Sequence, residues 1–205
     1  MSKRHLKNER IKRLYVNHLR QADGKSEATI RQIEAAIQRY ELFTDFADFA
    51  TFDQRHAVAF KTDLTRLNLA KATILSTVNV LKRFFGWLGM QAGYKSRIKK
   101  TDIEFLRLSE KDVRAANAPS HRPFPTLPQI ERVVSLMPDG LPTEKRDRAI
   151  VALTILTGVR DGALISLRLK HLDLSRMLLI QNPKEVATKF GKRIDTLSLP
   201  GRGIL

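Results

Sequence analysis

The chain has 205 residues, 42% of them apolar, which is enough for one large folded domain or two small ones. Its 37 Lys and Arg against 21 Asp and Glu leave a formal charge of +16, an imbalance that points to a polyanionic partner: nucleic acid, an anionic membrane or an acidic protein. The absence of cysteine excludes disulfides, thiolate metal sites and Cys nucleophiles, and the five His residues show no ligand spacing, so neither metal nor cofactor is expected. No stretch approaches the roughly 18 consecutive apolar residues of a membrane span. The basic, polar start from Met1 to Arg13 leads into no signal-like apolar region, so a cytoplasmic protein without membrane contact is expected.

From Glu9 to Arg20, Ile11, Leu14, Tyr15, His18 and Leu19 recur three or four apart, with Lys12, Arg13, Asn17 and Arg20 turned away; this predicts an amphipathic helix ended by Gly24. Ser26 is placed to cap a second helix with the stripe Ile30, Ile33, Ile37, Tyr40 and Phe43. Asp53 is placed to cap a third carrying Val58, Phe60, Leu64 and Leu67. The Phe-rich TDFADFATF turns the chain between them. Thr73 opens a fourth helix with Ile74, Val78, Leu81, Phe85 and Leu88, closed near Gly89 and Gly93. A short helical piece runs from Asp102 to Leu108. Next comes a polar stretch with Pro119, Pro123 and Pro125 in close succession; proline at that density blocks helix and sheet alike. The expected organisation is a helical domain over 1–108, a linker over 109–125 and a second domain over 126–205.

Thr126 and Gln129 have capping-box spacing at the head of a helix running to about Met137. Thr143 begins another, apolar nearly all round with Ile150, Leu153 and Leu156, which fits a helix buried within its domain and ended at Gly158. Asp161 is placed to cap a short helix through Leu167. Beyond it LLI, EVAT and RIDTLSL are short β-prone runs broken by Asn182-Pro183 and Gly191-Lys192, predicting a small antiparallel sheet.

Two features of the second segment stand out together. LTILTGVRDGALISLRLKHLD, residues 153–173, combines a buried helix, a Thr-Gly break, an arginine, a short helix with Leu-x-x-Leu spacing and a His-Leu-Asp leading into a strand. EVATKFGKRIDTLSLP, residues 185–200, reads as strand, basic turn and strand. This pattern resembles the tyrosine recombinases, the phage-integrase type. The resemblance spans nearly the whole chain, because TILSTVNVLKRFFGWL is similar to the last helix of the family's N-terminal domain.

The resemblance implies a mainly α chain: a four-helix, SAM-like core-binding domain, then the first part of an α+β catalytic domain with a small antiparallel sheet. It implies metal-free phosphoryl chemistry. A five-coordinate phosphorus gathers negative charge on its non-bridging oxygens, and a fixed guanidinium neutralises that charge with paired hydrogen bonds. Arg160 takes that role, and the hairpin lysine that protonates the leaving 5′-oxygen matches Lys189, with Lys192 and Lys184 as alternatives. His171 is expected at the surface, with Asp161 and Asp173 as cap and turn residues. The family's acidic residue three positions after the motif arginine is Ala163 here.

The family's His-x-x-Arg box and its attacking tyrosine have no counterpart in the sequence. Tyr15, Tyr40 and Tyr94 are its only tyrosines, all in the helical domain. Because covalent catalysis needs the attacking hydroxyl close to and in line with phosphorus, the expectation is a chain that binds duplex DNA without cutting it. Candidate DNA contacts are Lys12, Arg31, Lys71, Lys82, Arg83, Lys95, Lys99, Lys100 and Arg122, in a family whose two domains clamp the duplex. Self-association on DNA and pairing with a full-length recombinase are the further partners considered. The alternative function is that of a non-catalytic regulator or competitor at recombination sites.

Overall fold

The computed structural model describes residues 5–119 and 123–197, which divide into two compact units, 1–120 and 121–205. Unit 1 is helical: α1 (Leu6–Gln21), α2 (Glu27–Phe43), α3 (Gln54–Arg66), α4 (Lys71–Leu88), α5 (Lys100–Glu104) and α6 (Glu110–Asn117). The starts of α2 and α3 follow from their caps. Ser26 Oγ accepts the Thr29 N–H at 3.3 Å, and Asp53 Oδ1 accepts the His56 N–H at 2.9 Å, each satisfying a donor that the first helical turn leaves open. α4 instead begins at Lys71, after Ala70, with no side-chain cap, two residues ahead of the expected Thr73. On α3 the buried positions are Ala57, Phe60 and Leu64; Val58 and Leu67, expected inside, face solvent.

The four long helices close on one core. Its centre is aromatic: Phe52 stacks on Phe85 with centroids 3.8 Å apart, and Tyr40 meets Phe60 and Phe85 edge-on at 5.2 Å. The turn between α2 and α3 feeds this core with Phe49 and Phe52. Its backbone is fastened by fully buried Asn8, whose amide donates to Ala47 O at 2.9 Å while its Oδ1 accepts the Phe49 N–H at 3.1 Å. Gly89 ends α4 where Ile98 crosses closely: a Cβ there would stand 3.3 Å from Ile98 O, so a larger residue would push the returning chain away.

Part of the expected linker is helix. α6 packs on α4, with Lys71 Nζ 2.8 Å from Asp112 Oδ1 and Ser109 Oγ accepting the Asp112 N–H at 3.1 Å. The prolines that suggested a break begin at Pro119, after the helix has ended.

Unit 2 contains α7 (Leu127–Leu136), α8 (Pro142–Thr157), α9 (Asp161–Leu164), a 3-10 turn (Leu169–His171), and strands β1 (Leu172–Asp173), β2 (Leu178–Gln181) and β3 (Ile194–Leu197). At the head of α7, Gln129 Oε1 accepts the Thr126 N–H at 2.8 Å, half of the expected capping box. The sheet is antiparallel in the order β1-β2-β3, with Leu178 opposite Leu197 and Gln181 opposite Ile194. α8 differs from expectation: only Ala152 and Leu156 are fully buried, and Ile150 is exposed. EVAT is not a strand. Asn182 turns the chain by accepting the Lys184 N–H on its side chain and the Glu185 and Val186 N–H groups on its carbonyl, and Val186 leaves the sheet line for an apolar cluster.

Candidate phosphate-binding site

Arg160 stands where the helix break predicts. Gly158 closes α8 at φ +62, in the left-handed region that glycine enters without a Cβ penalty, and its N–H bonds Thr154 O. Two residues later Arg160 is extended (φ −78, ψ 148) and its carbonyl accepts the N–H groups of Ala163 and Leu164. Arg160, not Asp161, is therefore the N-cap of α9, and Asp161 is its first residue. The Arg160 side chain is exposed, and no carboxylate pairs with it among the described residues.

Lys189 does not sit at the tip of a two-strand hairpin. β2 ends at Gln181 and β3 begins at Ile194, so Lys189 opens a short 3-10 turn, Lys189–Gly191, on the long connection between them. That connection is laid against the Arg160 segment. Val186 shares a buried cluster with Val159, Ala163 and Leu179, and the Ala187 N–H donates to Ser166 Oγ at 2.9 Å. Lys184 and Lys192 are exposed on the same connection. The cluster also accounts for Ala163: at 2% exposure among Val159, Leu179 and Val186, a carboxylate there would be desolvated without a partner.

His171 is buried at 4% exposure, against the surface position expected. Its Nδ1 accepts the Arg168 N–H at 3.0 Å, which leaves the proton on Nε2 to donate to Glu185 Oε2 at 3.0 Å. Glu185 Oε1 accepts from Lys170 Nζ at 2.7 Å. The Lys170 ammonium first, then the His171 N–H, hold the Glu185 carboxyl down at about 2. Neither Glu185 nor Ser166 carries a local sequence signal, because their partners lie 14 to 21 residues away. Asp173 fills its expected turn role, accepting from Ser175 Oγ at 2.6 Å and the Arg176 N–H at 3.0 Å.

In unit 1 the basic candidates separate into two groups. Lys12 lies between Glu9 and buried Glu41, at 2.6 and 2.7 Å; burial disfavours its charge, but hydrogen bonds to Glu41 and Glu9 outweigh that and raise its pKa. Lys71 pairs with Asp112, and Lys82 lies 3.9 Å from Glu104. Arg31, Arg83, Lys95, Lys99 and Lys100 are exposed and form no ion pair among the described residues. Arg122 lies outside the described residues. The tyrosines are occupied structurally: burial pushes the Tyr15 hydroxyl up to about 12, and Tyr40 higher still, within its ring of Phe side chains. Among the described residues no group of His and carboxylates is spaced to hold a metal ion, and no helix is long and apolar enough to cross a membrane.

The succession of helices followed by a three-stranded antiparallel sheet is shared with solved proteins. The Tn1549 transposon integrase, solved in complex with circular intermediate DNA, superposes with a TM-score of 0.59 at 18% identity over 95% of this chain and 61% of that one. The same integrase with transposon right end DNA gives 0.58 at 20% identity over 84% of this chain and 52% of that one. In sequence, the tyrosine recombinase XerC of Lacticaseibacillus casei (strain BL23) is 22% identical over 166 residues, 78% of this chain and 51% of that protein. The fold is that of the Tn1549 integrase, and the sequence is similar to tyrosine recombinases. No family model matches it. The chain spans about half the length of the XerC recombinases it matches.

Proposed function

We propose that this chain binds duplex DNA and acts in site-specific recombination or integration, without cleaving DNA by itself. In this reading Arg160 and the Lys189 connection grip one phosphate in unit 2. Arg31, Arg83, Lys95, Lys99 and Lys100 supply further phosphate contacts from unit 1, and Lys12, Lys71 and Lys82 serve the fold instead. The observation that carries it is the joining of two segments distant in sequence: the cluster of Val159, Ala163 and Val186 with the Ser166–Ala187 hydrogen bond brings the arginine and lysine segments to one place. An exposed guanidinium on a segment packed against a lysine-bearing connection suits an anionic oxygen pair. The structural neighbours solved with DNA support the same partner.

Breaking the phosphodiester needs a nucleophile, and the two most buried tyrosines belong to the unit 1 core, their hydroxyls poorly ionised. In this reading residues 1–205 hold DNA, and the covalent step needs a nucleophile that they do not supply. Incubation with duplex DNA should give a retarded complex in a native gel that dissolves as salt rises, since each neutralised phosphate releases counterions. Incubation with a nicked duplex should give no covalent protein–DNA band after denaturation. A salt-insensitive complex contradicts the binding mode, and a covalent band contradicts the absence of cleavage.

A further inference from the structure

Three successive residues ahead of Lys189 are each anchored to the segment that follows Arg160. Glu185 is held by Lys170 and His171 at 2.7 and 3.0 Å; Val186 is buried beside Val159 and Ala163; the Ala187 N–H bonds Ser166 Oγ. Behind Glu185 stands a buried imidazole whose two nitrogens are both committed, one to the Arg168 backbone and one to the carboxylate. Such a ring has one orientation and one tautomer, so it transmits the position of the 3-10 turn to the connection. The hydrophobic contact at Val186 is non-directional. The Glu185 bonds are directional and fix how the connection lies on that contact.

We infer that Glu185, braced by His171 and Lys170, is a positioning residue for the lysine side of the phosphate site: it touches no DNA but sets where the 188–192 turn stands relative to Arg160. This rests on the proposed phosphate site, and the test separates the two. Charge alone argues the other way, because removing an anion near a phosphate site strengthens binding of a polyanion. The sign of the effect is therefore diagnostic.

The experiment measures affinity of the whole chain for a mixed-sequence duplex by fluorescence anisotropy at fixed salt, with thermal melting of each variant alongside. Glu185→Gln should bind about 3- to 10-fold more weakly, in the lower part of the range for coupled neighbours. His171→Asn, which leaves the charge of the neutral ring unchanged, should weaken binding in the same direction. In a Lys189→Ala background, Glu185→Gln should add no further loss, whereas simple loss of folding would persist there. Equal or tighter binding by Glu185→Gln, with Arg160→Ala and Lys189→Ala both weakened, overturns the positioning role and leaves the site standing. Unchanged binding by Arg160→Ala and Lys189→Ala overturns the site, and the positioning role with it.

Discussion

The two units are built to different standards. In unit 1, twenty-one buried apolar residues among those described form one continuous cluster, and the α2–α3 turn is tied to buried Asn8. Among the described residues of unit 2 the core is two separate clusters of three and four residues, while Phe124, Leu136, Ile165, Leu169, Leu174 and Leu197 stand largely in solvent. Between α8 and the sheet runs an apolar groove of about 250 Å³, with Ala152, Leu156, Leu174 and Leu178 in its walls. The difference teaches that the dense packing and the proposed phosphate site lie in different units of this chain. In the proposed function, the unit with the denser core offers exposed cations, and the thinly packed one carries the proposed phosphate site, whose two segments are joined by a few directional hydrogen bonds.

The largest effect should come from cutting the denser core. Phe85→Ala removes a fully buried ring stacked on Phe52 and should cost about 3–5 kcal/mol, whereas Leu156→Ala, beside a groove, should cost about 2 kcal/mol. Thermal or urea melting of both variants checks the contrast, and equal losses would erase the distinction between the units. Next in size, Arg160→Ala should weaken duplex binding by about 1.5–3 kcal/mol, the ordinary worth of a charge-assisted hydrogen bond, without shifting the melt. Anisotropy against melting separates the two readouts.

A smaller effect sharpens the comparison through acid. The folded-state pKa of Glu185 is depressed from 4.5 to about 2, so its contribution to stability is present above the unfolded value and is lost as pH falls from about 4.5 to 2. The difference in melting temperature between the parent chain and Glu185→Gln should shrink across that window and vanish below it; a difference constant with pH would show that Glu185 contributes nothing through its charge. Least of all, Ile165→Gln, at a side chain 87% exposed, should change stability by no more than about 0.5 kcal/mol. Chemical melts check it.

The sequence was most legible where structure is local. Ser26, Asp53 and Gly158 act within four residues of themselves, and each begins or ends its helix as its chemistry requires. α6 had the same kind of signal in Ser109 and Asp112, but neighbouring prolines outweighed it in reading the stretch as a connection. The misreadings elsewhere come from tertiary partners. EVAT has strand composition, yet burying Val186 beside Val159 takes it out of the sheet. His171 reads as a polar residue in a basic stretch until Glu185 and the Arg168 N–H satisfy both of its nitrogens in the interior. The place of Arg160 just beyond α8 was legible because a helix-ending glycine stands two residues before it. The setting of Lys189 was not, because it depends on contacts made between 14 and 27 residues back along the chain.

The most direct test of a phosphate site in unit 2 compares the parent chain with the Arg160→Ala/Lys189→Ala double variant in duplex binding across a salt series. Each lost phosphate contact should lower the slope of log affinity against log salt by about one, so the double variant should bind more weakly with a slope reduced by about two. An unchanged slope and affinity would mean that the DNA is held by unit 1 alone and that the pair grips no phosphate.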